Sequence, residues 1–331
     1  MKSKELHLKL NNSSTKVQDL VDALSHAISQ GIFQTGEALP SVNKISKQHN
    51  LSRDTVFKAY QELKLRKLVD STPAKGYHVV GQLNKVLLIL DIYSPFKDVL
   101  YNAFVENLPK NYKVDLVFHF YNERLFETVI FDSIGRYNYY IVMNFNNESF
   151  HDVLKKIDTN KLLILDLGDF EKDSYAYVCQ DFGKSVYNCM KTGLELFRKY
   201  NKINLYFPKG SEHPQITGKF FKKFCKDYSF NFDVIRAINE PEFKSGTAYF
   251  IIRQKDLVEV IKLCRQKKLK VGKDIGLIAY NDTPMYEIIE EGITVISTDF
   301  AQMGAKAAAF VSNRRKIQEV LATRLIVRGS L

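Results

Sequence analysis

Residues 51–80 read LSRDTVFKAYQELKLRKLVDSTPAKGYHVV, and the period of the apolar side chains changes once within them. Val56, Ala59, Tyr60 and Leu63 recur at helical steps, and Ser52 stands where its side chain can accept from the first unpaired N–H groups of that helix. Arg53, Asp54, Phe57, Lys58 and Gln61 project elsewhere. Beyond the helix, two short β-prone runs flank Pro-Ala-Lys-Gly, which predicts a hairpin. Upstream, GIFQTGEALPS (31–41) is a connection punctuated by Gly and Pro. Ser41 then caps a second helix that turns Val42 and Ile45 inward and stops at Asn50. Val17, Leu20, Val21, Leu24, Ala27 and Ile28 keep the same period, and Gly31 ends that first helix. Helix, helix-turn-helix and hairpin together predict a winged helix-turn-helix over residues 1–80.

Charge agrees with a nucleic-acid partner. The net charge is +11, and residues 1–84 hold 12 Lys+Arg against 7 Asp+Glu, so nearly half of the excess falls in a quarter of the chain. Clustered cations suit a phosphate backbone, because each neutralised phosphate releases condensed counterions. By charge alone, a merely basic soluble surface would look the same.

After a polar link at residues 81–84, the pattern turns to apolar runs alternating with amphipathic segments, the rhythm of parallel β-α-β units. The runs are 86–92, 114–120, 139–145, 162–167, 203–207, 232–235, 248–252 and 275–280. So many strands divide into two sheets, which makes residues 85–331 a bilobal α/β domain with two parallel sheets and flanking helices. Strands apolar on both faces need helices on both, and their carboxyl ends line a crevice where ligands bind. Asp91, Asp166, Asp169, Arg253 and Asn281 stand at or near such ends. Each either holds a polar ligand or closes a turn or caps a helix.

Other classes are disfavoured. Cys179, Cys189, Cys225 and Cys264 are widely spaced, with no C-x-x-C and no histidine ladder, so they read as reduced thiols with no metal site. The N-terminal stretch lacks a signal-peptide core, and no eighteen apolar residues run together, which predicts a cytoplasmic protein without membrane contact. Gly183, Lys184 and Ser185 spell the end of a phosphate loop, yet Val178 occupies the position of its first glycine, so this is a helix start. His213, in KGSEHPQITG, reads as a loop histidine in solvent, with contact to a ligand as the alternative. No cofactor motif appears, and no catalytic role is assigned.

The stretch ISQGIFQTGEALPSVNKISKQHNLSRDTVFKAYQELKLRKLVDSTPAKGYHV resembles the DNA-binding domain of the GntR family. G-x-x-x-x-G-x-x-L-P-S, S-R-x-T-V and the closing wing glycine occur in order. The resemblance implies double-stranded operator DNA as partner, with Arg53 and Thr55 in the major groove, where a guanidinium binds guanine bidentately. Ser41, Asn43, Ser52 and Asp54 join them as DNA-side candidates, Lys58 and Lys75 as backbone contacts, and Gly76 as the point of close approach to the minor groove. Asn43 and Phe57 depart from arginines common in the family, and Phe57 either meets a thymine methyl or pads the helix.

Residues 85–331 resemble the effector domain of the LacI family and the periplasmic sugar-binding proteins. DIGLIAYNDTPMYEIIEEGITVISTDFAQMGAKAAAFV is the clearest part, and RLIVRGSL closes the chain as that family's last strand does. The resemblance places Tyr93 and Phe96 in the first loop, Asp166 near the hinge, Asn281 at a strand end and Phe300 beside the ligand. Asp91 joins this set. Arg253 and Gln254 replace a common Asn-Asp pair, and Gln215 replaces an arginine. Arg253 implies either an acidic or phosphorylated effector or an internal carboxylate partner. The implied function is a homodimeric sequence-specific regulator, a repressor of sugar utilisation released by a monosaccharide or sugar phosphate. A sensor of an amino acid or nucleoside, and an enzyme domain fused to a DNA-binding module, are the alternatives.

Overall fold

The computed structural model describes residues 15–29, 32–73, 76–80, 84–145, 150–166, 174–313 and 315–331. Gly31, Lys75, Asp169 and positions 81–83 of the link lie outside them. The chain forms two compact units, Met1–Asn84 with Lys110–Lys113 and Lys85–Pro109 with Val114–Leu331.

In the first unit, α1 (Lys16–Ser29), α2 (Val42–His49) and α3 (Arg53–Leu65) precede a hairpin of β1 (Val69–Thr72) and β2 (Gly76–Val79). The hairpin is antiparallel, with Val69 opposite Val79 and Thr72 opposite Gly76. The helical stripes meet in one core of Leu20, Val21, Leu24, Ile45, Val56, Tyr60 and Leu63, closed by Val69 and Val79. The connection before α2 does more than punctuate. Gly36 N donates to Val79 O (2.9 Å), Val79 N to Glu37 O (2.9 Å) and Leu39 N to Tyr77 O (2.8 Å), so it runs as a third line beside the wing. Phe33 and Leu39 are buried for the same reason. Tyr60 fastens this line by donating its hydroxyl to Pro40 O at 2.6 Å.

The second unit begins with β3 (Asn84–Leu90), α4 (Pro95–Glu106), β4 (Tyr112–Phe118), α5 (Glu123–Ser133), β5 (Tyr139–Met143), β6 (Leu162–Leu165) and β7 (Ala176–Gln180). It continues through α6 (Lys184–Thr192), α7 (Leu194–Phe197), β8 (Lys202–Tyr206), α8 (Ile216–Asp227), β9 (Phe232–Ile235), β10 (Thr247–Ile251), α9 (Gln254–Gln266), β11 (Ile275–Tyr280) and β12 (Thr294–Thr298). The last elements are α10 (Phe300–Asn313), β13 (Gln318–Leu321) and β14 (Thr323–Ile326). One six-stranded sheet has the order β13-β7-β6-β5-β3-β4 and the other β14-β12-β11-β10-β8-β9. The eight runs expected from sequence are all strands. The expectation of wholly parallel sheets needs one correction, because β14 pairs antiparallel with β12, Val295 opposite Ile326. Such a strand closes a sheet edge without needing a crossover helix.

The chain passes between the sheets three times, after β7, after β12 and at Ala322 between β13 and β14. The helix after the second passage, α10, returns to pack on α4 of the first lobe. A Cβ at Gly304 would lie 2.2 Å from Leu100 O, so only glycine permits that approach. Gly183 directly precedes α6, as the sequence implied.

Candidate functional site: an inter-lobe cavity and an exposed helix face

The carboxyl ends of both sheets border a cavity of about 220 Å³, and five sequence-derived candidates, Asp91, Phe96, Asp166, Arg253 and Asn281, line it. Asp91 is the first residue after β3, Asp166 after β6 and Asn281 after β11. The parallel order of the strands brings these ends together.

Two hydrogen-bond systems organise the wall. In the first lobe, Asp91 Oδ1 accepts from Lys97 Nζ and, at 2.5 Å, from Ile92 N, while Oδ2 accepts from the Tyr121 hydroxyl at 2.6 Å. In the second system the Tyr280 hydroxyl donates to Gln180 Oε1 at 2.8 Å, and Gln180 Nε2 donates to Asp166 Oδ1. This chain joins β11 of one lobe to β7 and β6 of the other. Burial pushes Asp166 up to about 6 against the opposing pull of Gln180 and Lys97. Burial likewise lowers Lys97 to about 8, opposed by Asp166. Burial raises Tyr280 well above the usual phenol, and the Asp166 charge adds to it.

His213 overturns the solvent-loop expectation. Its ring packs 4.5 Å from Tyr280, 5.5 Å from Phe182 and 5.8 Å from Phe207, and it lines the cavity. Burial lowers it to about 3, so the ring is neutral. The Thr217 hydroxyl gives its proton to Phe182 O at 2.7 Å, so it must accept from His213 Nε2 at 2.8 Å. That fixes the proton on Nε2 and leaves Nδ1 as the ring's acceptor.

Arg253 has an internal partner. Its Nε and Nη2 donate to the buried Asp256 carboxylate at 2.7 and 2.9 Å, a bidentate pair within the first turn of α9. Three candidates are not among the lining residues. Tyr93 is exposed, with its ring 6.4 Å from Phe118, and Gln215 is exposed at the start of α8. Phe300 is buried against Phe96, ring centroids 4.7 Å apart. It borders instead a second hollow of about 300 Å³, which Phe96 also lines and which is walled by Thr283, Arg324 and Ile326. Sequence reasoning missed Lys97, Tyr121, Gln180 and Tyr280. Of these, Tyr280 was the most accessible, standing beside Asn281 at the end of a recognised strand.

On the first unit, Asn43, Arg53, Asp54, Phe57 and Lys58 are exposed. Phe57 is 49% exposed, so about half of its surface is covered and half is open to solvent. Lys58 Nζ reaches Asp54 Oδ2 at 2.8 Å, an exposed pair of little energetic weight. Ser41 and Ser52 serve as caps, accepting from Lys44 N (3.2 Å) and Thr55 N (3.0 Å), and the Ser52 and Thr55 hydroxyls are 2.8 Å apart. Gly76 has φ +76°, a conformation that favours glycine, and open space where a side chain would stand.

Residues 16–79 match the bacterial regulatory proteins of the gntR family, and residues 198–331 match the periplasmic binding protein-like domain. The HTH-type transcriptional regulator YjiR of Escherichia coli, uncharacterised, is 43% identical over 65 residues, 20% of this chain and 14% of its own length. Its Bacillus subtilis counterpart YcxD, also uncharacterised, is 33% identical over 70 residues, 21% of this chain and 16% of its own length. The chain therefore spans only about a seventh of these curated relatives, over the helix-turn-helix part. Among solved structures, a LacI family transcriptional regulator from Lactobacillus casei with bound glucose superposes with a TM-score of 0.58 at 16% identity, over 75% of this chain and 100% of that one. The trehalose repressor from Escherichia coli gives 0.59 at 15% identity, over 74% and 100%. The chain thus joins a gntR-type helix-turn-helix domain to a periplasmic-binding-protein-like domain with the LacI-type fold.

Proposed function

We propose that this chain is a cytoplasmic transcription regulator that binds operator DNA through the exposed face of α3 and its wing, and that a monosaccharide-sized effector between its lobes controls that binding. A repressor released by its effector is the sign we adopt. The carrying observation is the cavity at the carboxyl ends of both sheets, bridged by the Tyr280–Gln180–Asp166 chain. A polar molecule inserted there competes for or completes hydrogen bonds that belong to both lobes, and so favours one lobe geometry over the other. A useful switch requires about 1–3 kcal/mol of such coupling.

The cavity volume suits one sugar ring. Of the two effector classes implied by the sequence, the unphosphorylated one is favoured, because Asp256 already occupies the Arg253 fork that a phosphate would need. The glucose bound to the Lactobacillus casei protein supports a sugar. Homodimerisation is supported by Val258, Met285 and Ile288, exposed on elements that pack into one cluster of the second lobe.

Fluorescence anisotropy tests this reading with the full chain and a duplex from the region upstream of its own gene. Specific binding should weaken about tenfold or more in Arg53→Ala, as loss of a bidentate base contact implies. A monosaccharide should lower wild-type affinity about 5–150-fold. Unchanged specific affinity in Arg53→Ala would remove the DNA assignment, and indifference to every monosaccharide would remove the effector assignment.

A further inference from the structure

The charges around the inter-lobe cavity do not balance. Arg253 is neutralised by Asp256, and His213 is neutral in its hydrophobic packing. That leaves Lys97 as the one remaining cation among the lining residues, facing Asp91, with which it is hydrogen-bonded, and Asp166, whose charge it also feels. Glu212 adds a third carboxylate to the lining. One ammonium therefore serves several carboxylates in a partly desolvated space, where an uncompensated charge is costly.

The unused hydrogen-bonding positions point the same way. Asp166 Oδ1 accepts from Gln180, whereas Oδ2 has no partner among the described residues. Asn281 Oδ1 is buried without a partner. Tyr121 and Tyr280 give their protons to Asp91 and Gln180, so each oxygen offers only lone pairs to the cavity, as does His213 Nδ1. Acceptors predominate among these groups, and the one unneutralised cation of the lining, Lys97, is already engaged with Asp91.

We propose that the effector carries a primary ammonium group, as an amino sugar or other amino polyol does, held by Asp166 Oδ2 with Asn281 Oδ1 as a second acceptor. This rests on the inter-lobe cavity being the effector site. The ammonium supplies the missing cation and three donors at the point where acceptors are unsatisfied. Below about pH 6 and without effector, a proton taken up by Asp166 meets the same need.

Calorimetric titration of the full chain at about pH 7, where carboxylates are ionised and primary amines largely protonated, tests the proposal. The probes are three matched pairs: glucose and glucosamine, galactose and galactosamine, mannose and mannosamine. At least one amino member should bind about tenfold more tightly than its neutral partner. Asp166→Asn should remove that preference, and Asn281→Asp, which adds a carboxylate, should enlarge it. Affinity for the amino member should also fall as pH drops below about 6, where Asp166 takes up a proton, and stay flatter in Asp166→Asn. Neutral sugars binding as tightly as their amino partners would overturn the ammonium and leave the sugar site standing. Binding of none of the six would overturn both.

Discussion

Asp166 and Asn281 occupy matching places in the two lobes. Each is the first residue past the fourth strand counted from the β4 or β9 edge, and their φ angles are 63° and 64°. Each donates its backbone N–H to the next strand, Asp166 to Val178 O at 3.0 Å and Asn281 to Ile296 O at 2.9 Å. Asp and Asn tolerate the left-handed region better than most residues, yet the conformation still costs free energy. Both bear that cost at the lining of one cavity, where strained backbone commonly positions a functional group.

The strain is measurable at Asn281. Asn281→Ala should be less stable than Asn281→Gly by about 1 kcal/mol, because glycine adopts the left-handed conformation without a Cβ clash. Urea unfolding of the full chain compares the two, and equal midpoints would show that the turn stores no strain.

Asp256 sets what Arg253 can do. Asp256→Asn should free part of the guanidinium fork and improve affinity for a phosphorylated sugar relative to its unphosphorylated parent by about tenfold, the scale of one charge-assisted hydrogen bond. Titration of the parent and its 6-phosphate against both proteins measures the ratio. No change would mean that Arg253 does not face the effector.

Three groups give stability a pH dependence whose signs differ. His213 and His119 are lowered by burial to about 3 and about 4 from 6.5, so the unfolded chain binds protons there that the native state does not. Stability should fall as pH drops from 6.5 toward 4. Asp166, raised to about 6 from 3.8, acts oppositely: the folded state takes the extra proton, which favours folding as pH falls through 6. Two histidines outweigh one carboxylate, so the net slope between pH 6.5 and 4 should be a loss. His213→Gln should shallow it and Asp166→Asn should steepen it. Denaturation at two pH values, one on each side of the histidine range, checks both directions.

Phe300 is first a packing residue. Only 4% exposed and packed on Phe96, its truncation to alanine should cost about 3–5 kcal/mol. A loss below about 1 kcal/mol in thermal or urea unfolding would show that the ring is not part of the core.

The fold was legible where one periodicity ran long enough to read. The stripe Val56, Ala59, Tyr60, Leu63 and the fully apolar run at 275–280 specify helix and buried strand without help from neighbours. β7 and β13 were not read, because AYVCQ and QEVL are short and lie among polar residues; only pairing within the sheet makes them strands. At the cavity, strand-end carboxylates could be nominated from position alone. Lys97 and Gln180 could not, since their roles depend on Asp91 and Asp166, which approach them only after folding. Arg253 shows the same limit: the sequence offered a ligand or an internal carboxylate, and the pairing with Asp256 is a property of the α9 turn.

The three passages between sheets leave neither lobe encoded by one continuous segment. The first lobe lacks its edge strand β13 and the helix that covers Leu100 and Phe104 of α4 until everything after residue 299 has been made. The second lacks β14 over the same interval. A nascent chain emerging from the ribosome can therefore complete the winged helix early, while both halves of the sensing body must wait for the final tenth of this sequence. A truncated product ending before that point would retain the DNA-facing helix face and have no finished sensor to govern it.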